Sequence, residues 1–154
     1  MYKKNITYTD FNGDERTDAF YFNLSDAEIL ELQVSYGGDM SRIMSNMLEK
    51  KDAKGLLGII TDLIRTSYGE KSSDGKRFMK NQEVKDSFVT TDAYSKLVLE
   101  LLNDEKEFEK FMTNVIPVAK REALNELIRK REQREQGEAD ENEGNDNIVD
   151  IKKG

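Results

Sequence analysis

A lysine directly after a glycine is a common means of gripping phosphate. Residues 68–81, YGEKSSDGKRFMKN, offer such a pair at Gly75-Lys76, with a second glycine at Gly69. A nucleotide cradle needs two glycines four residues apart, then lysine and a serine or threonine for magnesium, all following a strand. Here five residues separate the glycines, Arg77 follows Lys76, and the preceding residues carry a helical pattern. The hydroxyl is missing and the register is wrong, so a phosphate site is not expected. Two readings of the stretch remain. One is a helix ended by Tyr68 and a C′ glycine at Gly69, followed by a polar turn at Ser73-Asp74-Gly75. The other is a recognition loop in which Lys76, Arg77 and Lys80 present positive charge beside Phe78 and Met79. An isolated aromatic in a charged loop either plugs its own core or docks into a partner. On the second reading the contact residues are Tyr68, Asp74, Gly75, Lys76, Arg77, Phe78 and Lys80.

Other candidate chemistry is thinner. Asp10-Phe-Asn-Gly-Asp14 has carboxylates at calcium-loop spacing, but Gly13 stands before Asp14 rather than after it. The twelfth position, counted from Asp10, is Tyr21 instead of a glutamate. A hairpin turn is the better reading. Glu28, Glu31, Asp39 and Asp62 fall at capping or solvent-facing helix positions, so no metal is expected. The chain has neither histidine nor cysteine, which removes the commonest general base and all thiolate chemistry. Catalysis would have to rest on Asp, Glu, Lys, Tyr, Ser or Thr; no enzyme, cofactor or catalytic residue is expected.

Charge narrows the partners. A formal net charge of -7 opposes a general nucleic-acid coat. The Arg129–Arg134 run lies in a segment, residues 118–136, with six basic and four acidic side chains, a net of +2. Mixed signs of this kind mark an interaction helix more than a DNA reader. The N-terminus has lysines but no apolar stretch suited to a signal peptide. The longest apolar run, Leu56 to Ile60, is interrupted by Gly58 and cannot span a bilayer. A soluble intracellular protein is expected.

These residues must be positioned by a small scaffold. Residues 3–9 and 17–24 alternate as strands around Asn12-Gly13 and predict a β-hairpin, whose face of Phe20, Phe22 and Leu24 needs something to cover it. Ser25-Asp-Ala-Glu28 is a capping box opening a helix that Gly37-Gly38 stop. Asp39 and Asp52 can cap two more helices. The first carries Met40, Ile43, Met44, Met47 and Leu48; the second has a wide arc from Leu56 to Ile64 and should be the most buried. The methionines, with Met112, suit either core filling or an adaptable groove. Glu83 to Phe88 fits a short helix, Thr91 opens another through Leu102, and Asp104 caps one ending at Pro117.

Residues 118–136 keep a brief stripe of Ala123, Leu124, Leu127 and Ile128. From Gly137 the composition turns to six acidic residues against two lysines, which predicts a disordered acidic tail. The expected architecture is therefore mainly α: a small helical domain (1–117) with an N-terminal hairpin (3–24), a projecting charged helix (118–136) and an acidic tail (137–154). A mean hydropathy of -0.77 with 36% charged residues agrees with thin helices or an unfolded portion.

Three stretches, TYTDFNGDERTDAFYFNLSDAEILELQ (7–33), YGEKSSDGKRFMKN (68–81) and FVTTDAYSKLVLELL (88–102), together resemble the tail assembly chaperones of long-tailed bacteriophages. The resemblance covers roughly residues 3–117, and Tyr94 sits where that family places an alanine-tyrosine pair. The chain departs from it at Asn81, where serine is expected, and in its longer charged helix and tail. The resemblance implies a non-enzymatic helper in the host cytoplasm that binds the tape-measure protein, keeps it soluble, hands it to tail-tube subunits and is absent from the mature virion. A structural tail or neck component, or a generic acidic interaction domain, is the alternative; self-association is compatible with either.

Overall fold

The computed structural model describes residues 1–151. Met1–Val118 forms one compact unit, and Ala119 begins a second. The chain opens with β1 (Tyr2–Thr9) and β2 (Glu15–Phe22), paired along their whole length from Tyr2↔Phe22 to Thr9↔Glu15. Their turn is held by Asp10, whose carboxylate accepts from the Asn12 and Asp14 N–H groups and pairs with Arg16, while Gly13 takes φ +91. The carboxylate that suggested calcium is thus engaged by the turn it organises.

Helix α1 (Asp26–Ser35) starts on the capping box: Ser25 Oγ accepts from the Glu28 N–H, and Glu28 accepts from the Ser25 N–H. Gly37 and Gly38, at φ +77 and +133, end it. Helix α2 (Met40–Glu49) and helix α3 (Ala53–Ser67) follow, α3 with Asp52 accepting from the Gly55 N–H. Ile59, Ile60, Leu63 and Ile64 of α3 are completely buried, as its wide apolar arc predicts.

The end of α3 departs from expectation. Tyr68 is extended, at φ -65 and ψ 140, and Gly69 belongs to a strand rather than to a left-handed cap. The helix passes directly into β3 (Tyr68–Lys71), which pairs with β2 through Tyr21↔Gly69 and Phe22↔Tyr68. Ser67 C=O, left over at the helix end, accepts from the Asn23 N–H at 2.8 Å. β2 therefore satisfies what a glycine cap would otherwise have handled. A short β4 (Phe78–Met79) returns along β3, so the stretch read as a polar loop is a second hairpin in a four-stranded antiparallel sheet ordered β1-β2-β3-β4.

Three helices close the first unit. Helix α4 (Gln82–Val89) is capped by Asn81, α5 (Asp92–Asn103) by Thr91 and α6 (Glu105–Val115) by Asp104. Asn81 is the residue that replaced an expected serine. Its side chain accepts from the Val84 N–H at 2.9 Å, a role that serine fills equally well. Ile116 leaves α6 in extended conformation, as the following Pro117 requires.

β1 packs its inner residues on α5 and α6, with Ile6 and Tyr8 buried. Lys4 on the same face reaches Glu100 and Glu107 at 3.1 and 3.2 Å. The core centres on aromatic rings: Phe22 meets Tyr68, Phe88 and Phe111, and Tyr68 stacks on Phe88 with centroids 4.2 Å apart.

In the second unit, α7 (Val118–Ile151) carries exposed Glu126–Arg129 and Arg131–Glu135 pairs. Residues 152–154 of the acidic tail lie outside the described residues.

Phe88 is 1% exposed and touches rings from both hairpins. Phe88→Ala is expected to lower unfolding free energy by about 3–5 kcal/mol in urea titrations followed by circular dichroism. A loss under about 1 kcal/mol would mean that the ring does not close the core.

Candidate protein-interaction site

The β3–β4 hairpin is built in three layers. At its base, Tyr68 is 5% exposed and stacked on Phe88. Its hydroxyl donates to Glu70 Oε1 at 3.3 Å, and burial pushes its pKa up to about 12. Tyr68 is thus a foundation of the hairpin, not a free contact. Gly69 lies beside it for a steric reason: a Cβ here would come within 2.6 Å of Phe78 Cε1 and 2.7 Å of the Met79 carbonyl oxygen. The two strands approach more closely than any side chain allows.

At the tip, Ser72 N–H donates to the Arg77 carbonyl and Gly75 N–H to the Ser72 carbonyl, both at 2.9 Å. Asp74 accepts from the Ser72 hydroxyl and the Lys76 N–H, which hold its carboxyl below the ordinary range. Ser72 Oγ in turn accepts from the Arg77 N–H, and Gly75 adopts φ +72. The side chains of Ser72 and Asp74 thus serve the backbone of the turn. Lys76 and Arg77 are exposed, and among the described residues their side chains have no hydrogen-bond or ion-pair partner. The turn is a stiff mount for two unpaired positive charges.

The third layer fixes the hairpin to the rest of the unit. Lys80 Nζ reaches both oxygens of Glu28, at 2.8 and 2.7 Å, and the Asn23 carbonyl. Burial pulls the ammonium below its ordinary pKa by more than the Glu28 hydrogen bond raises it. Burial also pushes the Glu28 carboxyl up, but the Lys80 ammonium and the Ser25 N–H outweigh it and leave it lowered. Lys80 is therefore committed inside the fold rather than displayed with Lys76 and Arg77. It also lies 5.6 Å from the centroid of Phe78. Phe78 is half-buried, with an edge against Gly69, so it both seals the hairpin and retains an exposed surface.

The seven residues singled out in the sequence thus divide. Lys76, Arg77 and part of Phe78 face outward; Asp74 and Gly75 shape the turn; Tyr68 and Lys80 anchor it. Glu28 and Asn23, which hold Lys80, have no local sequence signal for this role because 52 and 57 residues separate them from it.

Apolar contacts are also on offer elsewhere. Met40 and Met112 are core, at 1% and 2% exposure, whereas Met44 and Met47 on α2 are half-buried. Leu48 of α2, Leu57 of α3 and Val34 of α1 are exposed. Among the described residues no cluster of acidic side chains is placed to hold a metal ion, and no helix is long and apolar enough to cross a membrane.

A family model described as phage tail assembly chaperone matches residues 1–152, and the chain belongs to that family. The match runs well past Pro117, across the charged helix that the sequence resemblance left out. No curated protein and no solved structure matches the chain.

Two outcomes are expected from this geometry. Gly69→Ala should destabilise the fold by about 1–3 kcal/mol, read from the urea midpoint, because the Met79 carbonyl is backbone and cannot move aside alone. The second concerns acid. A lowered folded pKa makes the Glu28 contribution complete above its ordinary 4.5 and lost as pH falls through the folded value. Glu28→Gln should therefore flatten the fall in urea midpoint between neutral pH and acid. A variant with the wild-type slope would exclude Glu28 as its source.

Proposed function

We propose that this phage tail assembly chaperone acts without catalysing a reaction: it binds the tape-measure protein, keeps it soluble and delivers it to tail-tube subunits. The observation that carries this reading is the family match across residues 1–152. A long helical partner exposes apolar stripes that aggregate unless covered. The half-buried Met44 and Met47 and the exposed Leu48 and Leu57 are side chains that can repack on such a stripe. The Lys76–Arg77 turn supplies charge selection, since a rigid mount avoids the entropy cost of ordering a loop on binding. The chaperone works in the host cytoplasm and is released before the particle matures.

Co-expression with the tape-measure protein of the same phage tests this directly. The partner should stay soluble and co-purify, and mature particles should lack the chain. Lys76→Ala/Arg77→Ala should weaken that complex about tenfold while leaving circular dichroism unchanged. Retention of the chain in purified virions would instead mark a structural tail or neck component, and failure to bind or solubilise the partner would overturn the proposal.

A further inference from the structure

The sheet contains a strand edge that the fold leaves open. β2 pairs with β1 over all eight residues, but with β3 only at Tyr21 and Phe22. Beyond Gly69, β3 turns to β4, pairing Glu70 with Met79 and Lys71 with Phe78. Glu15–Phe20 of β2 therefore has a neighbour on one side only. The direction of its backbone groups follows from strand alternation. Asn23 N–H points to the β3 side, where it meets Ser67 C=O, so Tyr21, Ala19, Thr17 and Glu15 direct their amide groups to that side as well.

Where the two strands diverge, an open groove of about 470 Å³ is lined by Tyr8, Asp18, Phe20, Tyr68 and Glu70, among others. Its walls are aromatic and two of its polar groups are carboxylates. Asp18 lies on the inner face of the hairpin, held by the Tyr8 hydroxyl at 2.8 Å. The groove's cation, Lys71, sits over the Tyr21 ring at 4.5 Å, and nearby Arg16 is paired with Asp10.

We propose that the free edge of β2, Glu15 to Phe20, accepts an extended lysine- or arginine-bearing segment of a partner polypeptide as an added strand. The outward amides of Thr17 and Ala19 supply the ladder. A charge on the inner face is a common defence against unwanted strand pairing, and Asp18 works selectively. It penalises an apolar strand, which would strip water from a carboxylate whose hydrogen-bond donor, the Tyr8 hydroxyl, is neutral, and it rewards a strand that brings a cation there. The same cation lies over Phe20 and Tyr8, whose ring faces attract it. This edge is distinct from the Lys76–Arg77 turn, and its occupant is recognised by backbone and charge whichever tail protein the turn contacts.

The test uses the full chain labelled with ¹⁵N and a synthetic peptide alternating lysine with valine, with a glutamate-valine peptide as control. The lysine peptide should shift the Thr17 and Ala19 amides and slow their hydrogen exchange. Ala19→Pro, which removes an outward N–H without touching the β1 ladder, should abolish binding, whereas Asn5→Pro on the outer edge of β1 should not. Asp18→Lys leaves the backbone donors in place and carries the test should the proline variant fail to fold. It should weaken the lysine peptide about tenfold and transfer preference to the glutamate peptide. Absence of binding at millimolar peptide, shifts confined to β1 or to the 72–77 turn, or unaltered preference in Asp18→Lys would each overturn the proposal.

Discussion

The two-rung pairing of Tyr21 and Phe22 with Gly69 and Tyr68 is the constraint on which the rest of the unit depends. It brings together residues 48 and 46 positions apart, so it is formed at the entropic cost of closing a long loop. What offsets that cost is aromatic: the pairing sets Phe22 and Tyr68 against Phe88 and Phe111 in one cluster. Ring pairs in edge and stacked geometry add to the burial of their large surfaces. The helices α1 to α3 are the closed loop, and α3, with Ile59, Ile60, Leu63 and Ile64 fully buried, is its best-packed member.

Much of this was legible in the sequence because it is local. The first hairpin, the Ser25 capping box, the glycine stop at 37–38, the caps at Asp52, Thr91 and Asp104, and the break before Pro117 each depend on a few consecutive residues. The misread elements depend on distant ones. β3 and β4 are four and two residues long and show no alternation of their own; β3 is a strand because β2 is there to pair with, and β4 because β3 is. Gly69 looked like a helix cap for the same reason. A glycine after a helix is ordinarily read as a left-handed terminator, but here the missing Cβ makes room for Phe78 and a carbonyl.

The candidate site was legible in its chemistry but not in its division of labour. Gly75, Asp74, Lys76 and Arg77 announce a charged turn by type. That Lys80 faces inward could not be read, because Glu28 and Asn23 are brought to it by the fold. Glu28 serves two ends at once, accepting from Ser25 N–H at the start of α1 and from Lys80. One carboxylate thus locks the second hairpin to the helix that follows the first. A half-buried pair with further hydrogen bonds is costly to break from one side, which fixes the turn's direction relative to the core.

Gly69 is where these threads meet. A residue with a side chain would hold β3 away from Phe78 and the Met79 carbonyl. With glycine there, β3 pairs closely with β4 along one edge and, along the other, stays beside β2 for two rungs. The departure has two consequences with opposite charge. Beyond it stands the Ser72–Arg77 turn with its free cations; behind it lies the unpaired stretch of β2 with Asp18 and the Glu70 carboxylate beside it. A straight three-stranded sheet would have covered that edge and left no separate tip. A small, highly charged domain thus carries two distinct faces, one positive and one negative, on either side of a single strand crossing.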